Sequence, residues 1–269
     1  MAVRTIKRGG ERYYISPEDD TLKVPGVTSV LNMLPKDFLG PWNAKMVAQE
    51  AVTNLGPVVG LVAAGNHQAA IDMLKGAAYR DVKEASALGT DAHDLFERLA
   101  AGEEIAERRI PKALHPFRIH FLDFLEKVQP EYLFAEEMVW SGTHKYAGSF
   151  DAFTRIQGET TVTDYKTTRS GVHEQVALQN KAYASADHMI LADTGETAPI
   201  PAVTASTVLH VRPEGWALYA IDFSDDLFEY FLALRKVFDW EQERKKHAIG
   251  DIAYHGGERT TGSKRRASR

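Results

Sequence analysis

The sequence contains no cysteine among its 269 residues. A chain without thiols forms no disulfide, offers no thiolate nucleophile, and supplies no cysteine ligand for zinc or an iron–sulfur cluster. Any metal site in this protein must therefore use oxygen and nitrogen donors. The absence of cysteine also suits a reducing compartment.

Long apolar runs are absent as well. Basic residues stand near the N-terminus, but no apolar segment follows them, which is not the pattern of a secretory signal. The least polar stretch, residues 56–65, has about half the length that a membrane-spanning helix needs. We therefore expect a soluble protein without a membrane partner. Its expected location is the cytoplasm of a bacterium or of a phage-infected host cell, and the mitochondrion is the weaker alternative.

Several motifs of nucleotide binding and hydrolysis are missing too. The sequence has no GxxxxGK[ST] loop, no GxGxxG, no HExxH and no GxSxG, so ATP-driven motor activity is not expected. A formal net charge of −5 excludes a uniformly basic nucleic-acid coat, although it is compatible with a local positive groove. The hydrophobic share of 44% is typical of a globular chain long enough for one large domain or two small ones.

Hydrophobic periodicity changes from helical to strand-like near residue 131. Before that point the predicted elements are a charged, hairpin-like lead-in (residues 1–24), a short helix ending at Leu34, a mostly helical region from Pro41 to Leu99 and a helix from residue 114 or 117 to Val128. Three strands follow, at Tyr132–Trp140, Tyr146–Arg155 and Thr160–Lys166. The last predicted elements are a helix from Val172 to Met189, a strand hairpin (Val203–Val211 and Trp216–Phe223) and a helix from Asp225 to about Lys246. This order predicts a single α/β domain over residues 1–248, followed by a flexible basic tail at 249–269.

The turn residues predict the register of these strands. A tight turn centred on Gln157-Gly158 places Asp151 opposite Asp164. Opposed residues of an antiparallel pair have Cβ atoms about 4.5–5.5 Å apart, so the two carboxylates would be close neighbours. Lys166 shares the face of Asp164, because side chains alternate along a strand.

A second turn, centred on Thr143-His144, places Glu136 opposite Asp151. Glu137 takes that place if the strand slips by one residue. Carboxylates that face one another destabilise a sheet unless something neutralises their charge. A divalent cation with oxygen ligands, Mg²⁺ or Mn²⁺, would do so. The alternative is a solvated outer face, where scattered acidic and basic residues are common.

The same residues resemble the motifs of a known family. Gly148–Asp151 and Asp164–Lys166 look like the GxxD and D-x-K segments of PD-(D/E)xK nucleases. The wider set is similar to the RecB/Cas4-like exonuclease branch, which includes phage and mitochondrial exonucleases. The further matches are Gly89–His93 (GxxxH), Glu136 (the acidic residue before GxxD), Gln179–Tyr183 (QxxxY) and Pro25–Leu31 (the opening segment). The similarity spans roughly residues 24–190.

The resemblance implies a role for each matching residue. The implied metal ligands are His93, Asp151, Asp164, the main-chain carbonyl of Tyr165 and, for a second ion held directly or through water, Glu136. Lys166 would position and help deprotonate the attacking water, or would stabilise charge in the transition state. Gln179 and Tyr183 would brace the site or contact DNA, unless they form only a hydrogen-bonded core pair.

The resemblance also implies a restriction-endonuclease-like core, a central mixed β-sheet flanked by helices. The single domain would then consist of a helical N-terminal part, about residues 25–130, and a catalytic core, about residues 131–248. Many relatives carry four cysteines for an iron–sulfur cluster, and this chain has none, so one or two Mg²⁺ or Mn²⁺ ions are the expected cofactor. The helicase domains of RecB-type enzymes are also missing, which implies a stand-alone enzyme or one recruited by a separate partner.

The expected activity is that of a metal-dependent DNA exonuclease, acting on single-stranded DNA or DNA ends in recombination, repair or phage replication. The alternatives are a structure-specific endonuclease on the same fold and a DNA-binding or assembly module that does not cut. Expected partners are DNA and a separate helicase, recombinase or single-strand-binding protein.

Candidate DNA contacts are less specific. The basic and hydroxyl side chains that would line a groove are Arg80, Lys83, Lys145, Arg155, Thr167, Thr168, Arg169 and Lys181. Trp42 or Tyr79 would stack on bases there. A tryptophan at helical spacing more often lies in the core, so a structural role for Trp42 is the alternative.

Overall fold

The computed structural model describes residues 3–254 and 256. The basic run Ser263–Arg269 of the predicted tail lies outside the described residues. The strands are β1 Thr5–Arg8, β2 Glu11–Ile15, β3 Lys23–Pro25, β4 Glu131–Ala135, β5 Met138–Ser141, β6 Tyr146–Ser149, β7 Ala152–Ile156, β8 Glu159–Lys166, β9 His188–Ile190, β10 Thr197–Ala198, β11 Ala205–Arg212 and β12 Gly215–Ile221. The α-helices are α1 Val27–Leu31, α2 Leu39–Thr53, α3 Leu55–Ala63, α4 His67–Lys75, α5 Ala77–Ala100, α6 His115–Val128, α7 Gln175–Ala184 and α8 Asp226–Gln242.

A five-stranded mixed sheet organises the second half of the chain, which makes this an α/β protein. Its strand order is β12-β11-β8-β7-β4, in which β8 and β11 run parallel and the other neighbours run antiparallel. A four-stranded sheet of order β10-β9-β5-β6 and a three-stranded sheet of order β1-β2-β3 lie beside it. The three-stranded sheet contains the hairpin expected in the charged lead-in.

Helices cover both faces of the mixed sheet. On one face, aromatic and aliphatic residues of α5 and α6 pack against Tyr165 and Leu209. On the other face, α1, α7 and α8 pack against Phe153 and Val162. Alternation along β8 explains this division, since Val162 and Tyr165 differ by an odd number of positions and so point to opposite sides. The end of β8 is therefore enclosed by α5 and α7.

The predicted register is confirmed in both hairpins. Ile156 pairs with Glu159, so Gln157-Gly158 forms the turn, and both turn residues have positive φ as a type I′ turn requires. Ser141 pairs with Tyr146, which centres the preceding turn on residues 143–144. The pairing that follows from these turns brings Asp151 next to both Glu136 and the end of β8.

The predicted strands Tyr132–Trp140 and Tyr146–Arg155 are each broken into two. The breaks lie at Glu136-Glu137 and Phe150-Asp151, where the paired chains pass from the four-stranded sheet to the five-stranded one. Pairing continues across the break, because the Glu136 N–H donates to the Asp151 carbonyl at 3.0 Å. Glu136 has a φ of 53°, a left-handed conformation that bends the strand at this residue.

Other boundaries differ from the predictions. The helix predicted from Val172 to Met189 ends at Ala184, and its last residues form β9, which pairs with β5 and buries Met189 and Ile190. Pairing with a neighbouring strand outweighs helical periodicity there. The helical region from Pro41 to Leu99 consists of four helices, and α2 and α3 meet at an angle of 81°.

Among the described residues, no single helix is both long enough and apolar enough to cross a bilayer. The bent pair of α2 and α3 meets the test when its two helices are taken together, on length and composition alone.

Candidate metal centre

Three side chains from separate elements converge beside the end of β8. One donor atom from each of His93, Glu136 and Asp151 lies within 4.8 Å of the other two. His93 comes from α5, Glu136 from the strand break, and Asp151 from the residue before β7. One imidazole nitrogen and two carboxylate oxygens form a donor set that suits a divalent cation.

The approach of α5 to the sheet depends on Gly89. This glycine lies one helical turn before His93, and a Cβ added to it would stand 3.3 Å from Thr167 Oγ1 just beyond β8. An alanine at this position would make a tight contact, and Thr167 or the helix would have to shift by a few tenths of an ångström. Gly89 therefore permits this close packing, which brings the His93 ring to the end of the sheet.

Asp151 is held from two sides. Its Oδ2 accepts a hydrogen bond from the Tyr165 N–H at 2.5 Å, and its Oδ1 lies 3.7 Å from His93 Nδ1. Burial alone would raise the pKa of this carboxyl, but His93, Lys166 and the Tyr165 N–H outweigh burial and hold the pKa below its ordinary value. The carboxylate is therefore ionised at neutral pH, and its Oδ1 faces His93.

Asp164 and Lys166 form a second, deeper pair. Lys166 Nζ lies 2.5 Å from Asp164 Oδ2, and Asp164 is 3% exposed. Burial raises the pKa of Asp164 to about 6; the charge of Asp151 adds to this effect and Lys166 opposes it. Burial also disfavours the charged form of Lys166, but Asp164 and Asp151 outweigh burial and raise the lysine pKa. Lys166 is thus a protonated ammonium in this arrangement.

Glu136 lies in an environment that disfavours the ionised form of its carboxyl group. Burial raises its pKa to about 8, and the neighbouring charges of Asp151, Glu97 and Asp94 contribute to the increase. The left-handed backbone of Glu136 directs this carboxyl toward His93 and Asp151. Glu137, the alternative in a slipped register, instead accepts a hydrogen bond from the Ala192 N–H. A cation between these groups would offset both the burial and the neighbouring negative charge that raise the pKa of Glu136.

The surroundings of His93 favour its protonated, charged form. Burial lowers the pKa of this imidazole, but the nearby carboxylate of Asp151 outweighs burial and raises it. The ring contacts Tyr165 edge-on, with centroids 6.1 Å apart, and Tyr165 in turn exchanges a hydroxyl hydrogen bond with Tyr132 at 2.8 Å. These contacts fix the orientation of the ring against the core.

Gln179 and Tyr183 differ in their roles. Gln179 Nε2 donates to Asp164 Oδ1 at 2.8 Å and to the Tyr183 hydroxyl at 3.3 Å. Tyr183 is buried among core residues, and a Cβ on Gly148 would lie 2.7 Å from its ring. Gln179 therefore holds Asp164 of the Asp164–Lys166 pair in place, whereas Tyr183 belongs mainly to the core and supports Gln179.

A cavity of about 1370 Å³ adjoins this centre. His93 and Glu136 lie on its surface, and it extends between α2 and α5 on one side and the segment after β8 on the other. Of the basic and hydroxyl side chains predicted to line a groove, Thr167, Thr168 and Arg169 lie on its surface. The cavity connects the candidate metal centre with a polar segment.

Other predicted contacts lie elsewhere. Lys181 is buried, and its ammonium pairs with Asp225 at 2.7 Å, so it does not contribute to the groove. Arg155 pairs with Glu131 on the β7–β4 side of the sheet. Tyr79 is 71% exposed but lies outside the cavity lining.

The sequence interpretation missed two acidic neighbours and one basic one. Glu97 and Asp94 on α5 act electrostatically on Glu136, and Arg212 donates to the Thr167 carbonyl at 2.8 Å. Glu97 is four residues after His93, a helical spacing that would have placed both on one face. No local signal marks Arg212, because only the pairing of β11 with β8 brings it to this site.

Comparisons with known proteins add little to this description. No family model matches the chain, and no curated protein matches it. The solved structures that match include one described as "Crystal structure of SSO0001", which is 16% identical and has a TM-score of 0.29. That match covers 58% of this chain and 73% of the other. A TM-score of this size carries no argument, so function has to be inferred from the residues of the site.

Proposed function

We propose that the protein is a metal-dependent deoxyribonuclease that hydrolyses phosphodiester bonds at DNA ends. The observation that carries the proposal is the convergence of His93, Glu136 and Asp151 beside the Asp164–Lys166 pair. These elements are separated in the chain and meet in the register that the turns predict. A solvated outer face would not bury an aspartate beside a lysine.

The finer fold assignment belongs to the same proposal. A mixed sheet with helices on both faces supports a restriction-endonuclease-like core, in which the acidic residues and the lysine lie at the start of β7 and the end of β8. The helices α1 to α6 would form the helical N-terminal part, of which α2 and α5 line the substrate cavity.

The donor set fits Mg²⁺ or Mn²⁺. His93, Glu136 and Asp151 would hold a cation, with Asp164 and the Tyr165 carbonyl as the further predicted ligands. A bound divalent cation would supply Lewis-acid activation of water and of the phosphodiester. Burial, with the neighbouring carboxylates, raises the pKa of Glu136 to about 8, and such an ion would favour the ionised form of this side chain.

Lys166 would act as a charge stabiliser. Its pKa is raised by Asp164 and Asp151 despite burial, so the ammonium keeps its proton near neutral pH. Of the two roles implied by the resemblance, stabilisation of the negative charge on the pentavalent transition state is therefore favoured over removal of a proton from water. Gln179 would keep Asp164 oriented toward Lys166.

The alternative functions use the same site but predict different results with DNA substrates. A structure-specific endonuclease would cut circular DNA, which offers no end. A non-cleaving DNA-binding or assembly module would bind DNA with Asp164 and Lys166 dispensable. The intact acidic and basic groups favour an enzyme, and a separate helicase, recombinase or single-strand-binding protein would then be a partner rather than a domain of this chain.

The experiment is a cleavage assay with the full-length protein. End-labelled linear and circular DNA are incubated with Mg²⁺, Mn²⁺ or EDTA, beside the variants Asp164→Asn and Lys166→Met. Metal-dependent loss of linear DNA that spares circles and is abolished in both variants supports the proposal. Cutting of circles supports the endonuclease, and binding without cutting by any metal form supports the assembly module.

A further inference from the structure

The cavity beside the metal centre has two chemically different walls. One wall is apolar and comes from the start of α2, where Phe38, Trp42 and Met46 recur every four residues and so share a helical face. The rest of the lining is a polar wall of mixed charge, with Arg12, Thr168 and Arg169 beside Asp81, Glu84 and Asp94. An apolar face that lines one cavity together with arginine and hydroxyl groups suits an amphiphilic ligand.

The apolar wall is not part of the hydrophobic core. None of the residues of α2 is buried, and Phe38 is 61% exposed. The wall is nevertheless anchored, because Glu50 near the end of α2 accepts a hydrogen bond from Arg80 of α5 at 2.7 Å. Exposed aromatic surface held in a fixed place is typical of a binding site.

The extent of the cavity indicates a polymeric ligand. Asp81 and His93 both lie on its surface and stand on the same helix. At about 1.5 Å per residue, their separation along α5 is roughly 18 Å. This length exceeds what a single phosphodiester occupies and accommodates a few nucleotides that lead to the metal centre.

On this basis we infer that the α2 wall binds the bases of an unpaired strand, with Trp42 and Phe38 selecting single-stranded over duplex DNA. The inference rests on the proposed nuclease function and extends it to the form of the substrate. An unpaired base exposes its face for stacking, and each stacked base stabilises a complex by about 1–3 kcal/mol. A duplex keeps its bases inside and presents phosphates, which gain nothing from an apolar wall.

The arginines of the polar wall would contact the phosphates of the same strand. Arg12 is exposed, and within the described part of the chain it forms no ion pair. Arg169 pairs with Asp81 at 2.6 Å, so a phosphate would have to compete with that carboxylate for it. The base face and the phosphate face of one strand thus match the two walls.

The test compares Trp42→Ala and Phe38→Ala with Trp42→Phe and with the matched control Tyr79→Ala. Tyr79 is an exposed aromatic of the same helical region but lies outside the cavity lining. Cleavage rates and dissociation constants are measured on a single-stranded oligonucleotide and on a blunt duplex of the same sequence, and each variant is first checked by its melting temperature. We expect each alanine variant to lose about 5- to 100-fold in affinity for the single strand, with a matching loss of cleavage rate and little change on the duplex. Trp42→Phe should recover most of the loss, and Tyr79→Ala should behave as the wild type.

Crosslinking gives a readout that needs no variant. A single strand carrying 5-iododeoxyuridine is irradiated on the wild-type protein, and the modified peptide is identified by mass spectrometry. Modification within residues 38–46 supports the inference. Modification that is confined to other segments overturns it. Equal losses of affinity by the alanine variants on the single strand and on the duplex also overturn it. Wild-type protein that cleaves no DNA with any metal overturns the proposed function itself, which separates the two failures.

Discussion

The side chain of Asp151 is bound to the backbone of Tyr165, whose N–H donates to Oδ2 at 2.5 Å. This contact extends the β7–β8 ladder by one side-chain hydrogen bond beyond its last backbone pair, Ala152 with Thr163. It leaves Oδ1 directed toward His93. The proposed metal ligand is thereby fixed by the sheet rather than by a mobile loop, and its removal has a defined consequence.

Asp151→Asn should lower the affinity for Mn²⁺ by at least about tenfold. The amide keeps the size of the side chain but loses the charge that faces His93, and calorimetric titration of the metal measures the change. Asp193→Asn is the matched control, because Asp193 lies exposed in a loop. Unchanged Mn²⁺ binding in Asp151→Asn would contradict the proposed ligand set.

Lys166→Met should abolish most of the cleavage while leaving metal binding in place. Methionine fills similar space but removes the ammonium 2.5 Å from Asp164, so the developing charge loses its stabiliser. We expect a fall in kcat of about 10²- to 10⁴-fold with Mn²⁺ affinity within a few-fold of wild type. Lys127→Met, which removes an exposed lysine on α6, serves as the control. A loss of metal binding equal to the loss of rate would show that Lys166 acts through the metal ligands.

Metal affinity should rise with pH. The pKa of Glu136 is about 8 and that of His93 is raised, so both carry protons at acidic pH that a cation must displace. We expect Mn²⁺ to bind roughly 10- to 100-fold more tightly at about pH 8.5 than at about pH 6, with proton release. Calorimetry in two buffers of different ionisation enthalpy measures the protons. Proton uptake on binding, or affinity that falls with pH, would contradict the assignment.

Gln179→Leu should slow catalysis without abolishing it. The variant removes the 2.8 Å hydrogen bond to Asp164, so the carboxylate loses a donor that favours its charged form. We expect kcat to fall by about tenfold and the acidic limb of the pH–rate profile to move to higher pH. Gln175→Leu, at an exposed position on the same helix, is the control. A rate loss without movement of the acidic limb would indicate a purely structural role.

Gly148→Ala should destabilise the fold. The added Cβ would lie 2.7 Å from the Tyr183 ring and 3.2 Å from Val27 Cγ2, in a buried region with no space to yield. We expect the free energy of unfolding to fall by about 1–3 kcal/mol. In Gly60→Ala the new Cβ meets nothing within 4 Å on helix α3, and stability should rise by about 0.5–1 kcal/mol. Denaturant unfolding curves compare the two, and a neutral Gly148→Ala would show that Tyr183 can move.

The candidate site could be predicted to an unusual degree because two short turns set its register. Once Gln157-Gly158 forms a type I′ turn, the pairing of every residue behind it follows, and Asp151 comes beside the end of β8. The helical spacing of Gly89 and His93 then placed the imidazole on the face of α5 that meets the sheet. These relations are local, so they can be derived without knowing the rest of the fold.

The parts that could not be predicted depend on distant contacts. The segment His188–Ile190 has a pattern compatible with a helix, and it is a strand because β5 offers it an unpaired neighbour. The break at Glu136 is invisible in the strand pattern and follows from the divergence of two sheets that share one hairpin. The cavity and its apolar wall exist only because α2 packs against α5, some forty residues away in sequence.

The sequence by itself therefore determined which residues face one another across the hairpins, and it excluded every metal site built on cysteine. Periodicity and turn chemistry are properties of a few neighbouring residues, and those suffice for register. Only the tertiary structure decided how deeply Asp164 is buried, which charges surround Glu136, and that Trp42 lines a cavity instead of the core. Burial, electrostatic environment and cavities arise from the packing of remote segments, and no local pattern encodes them.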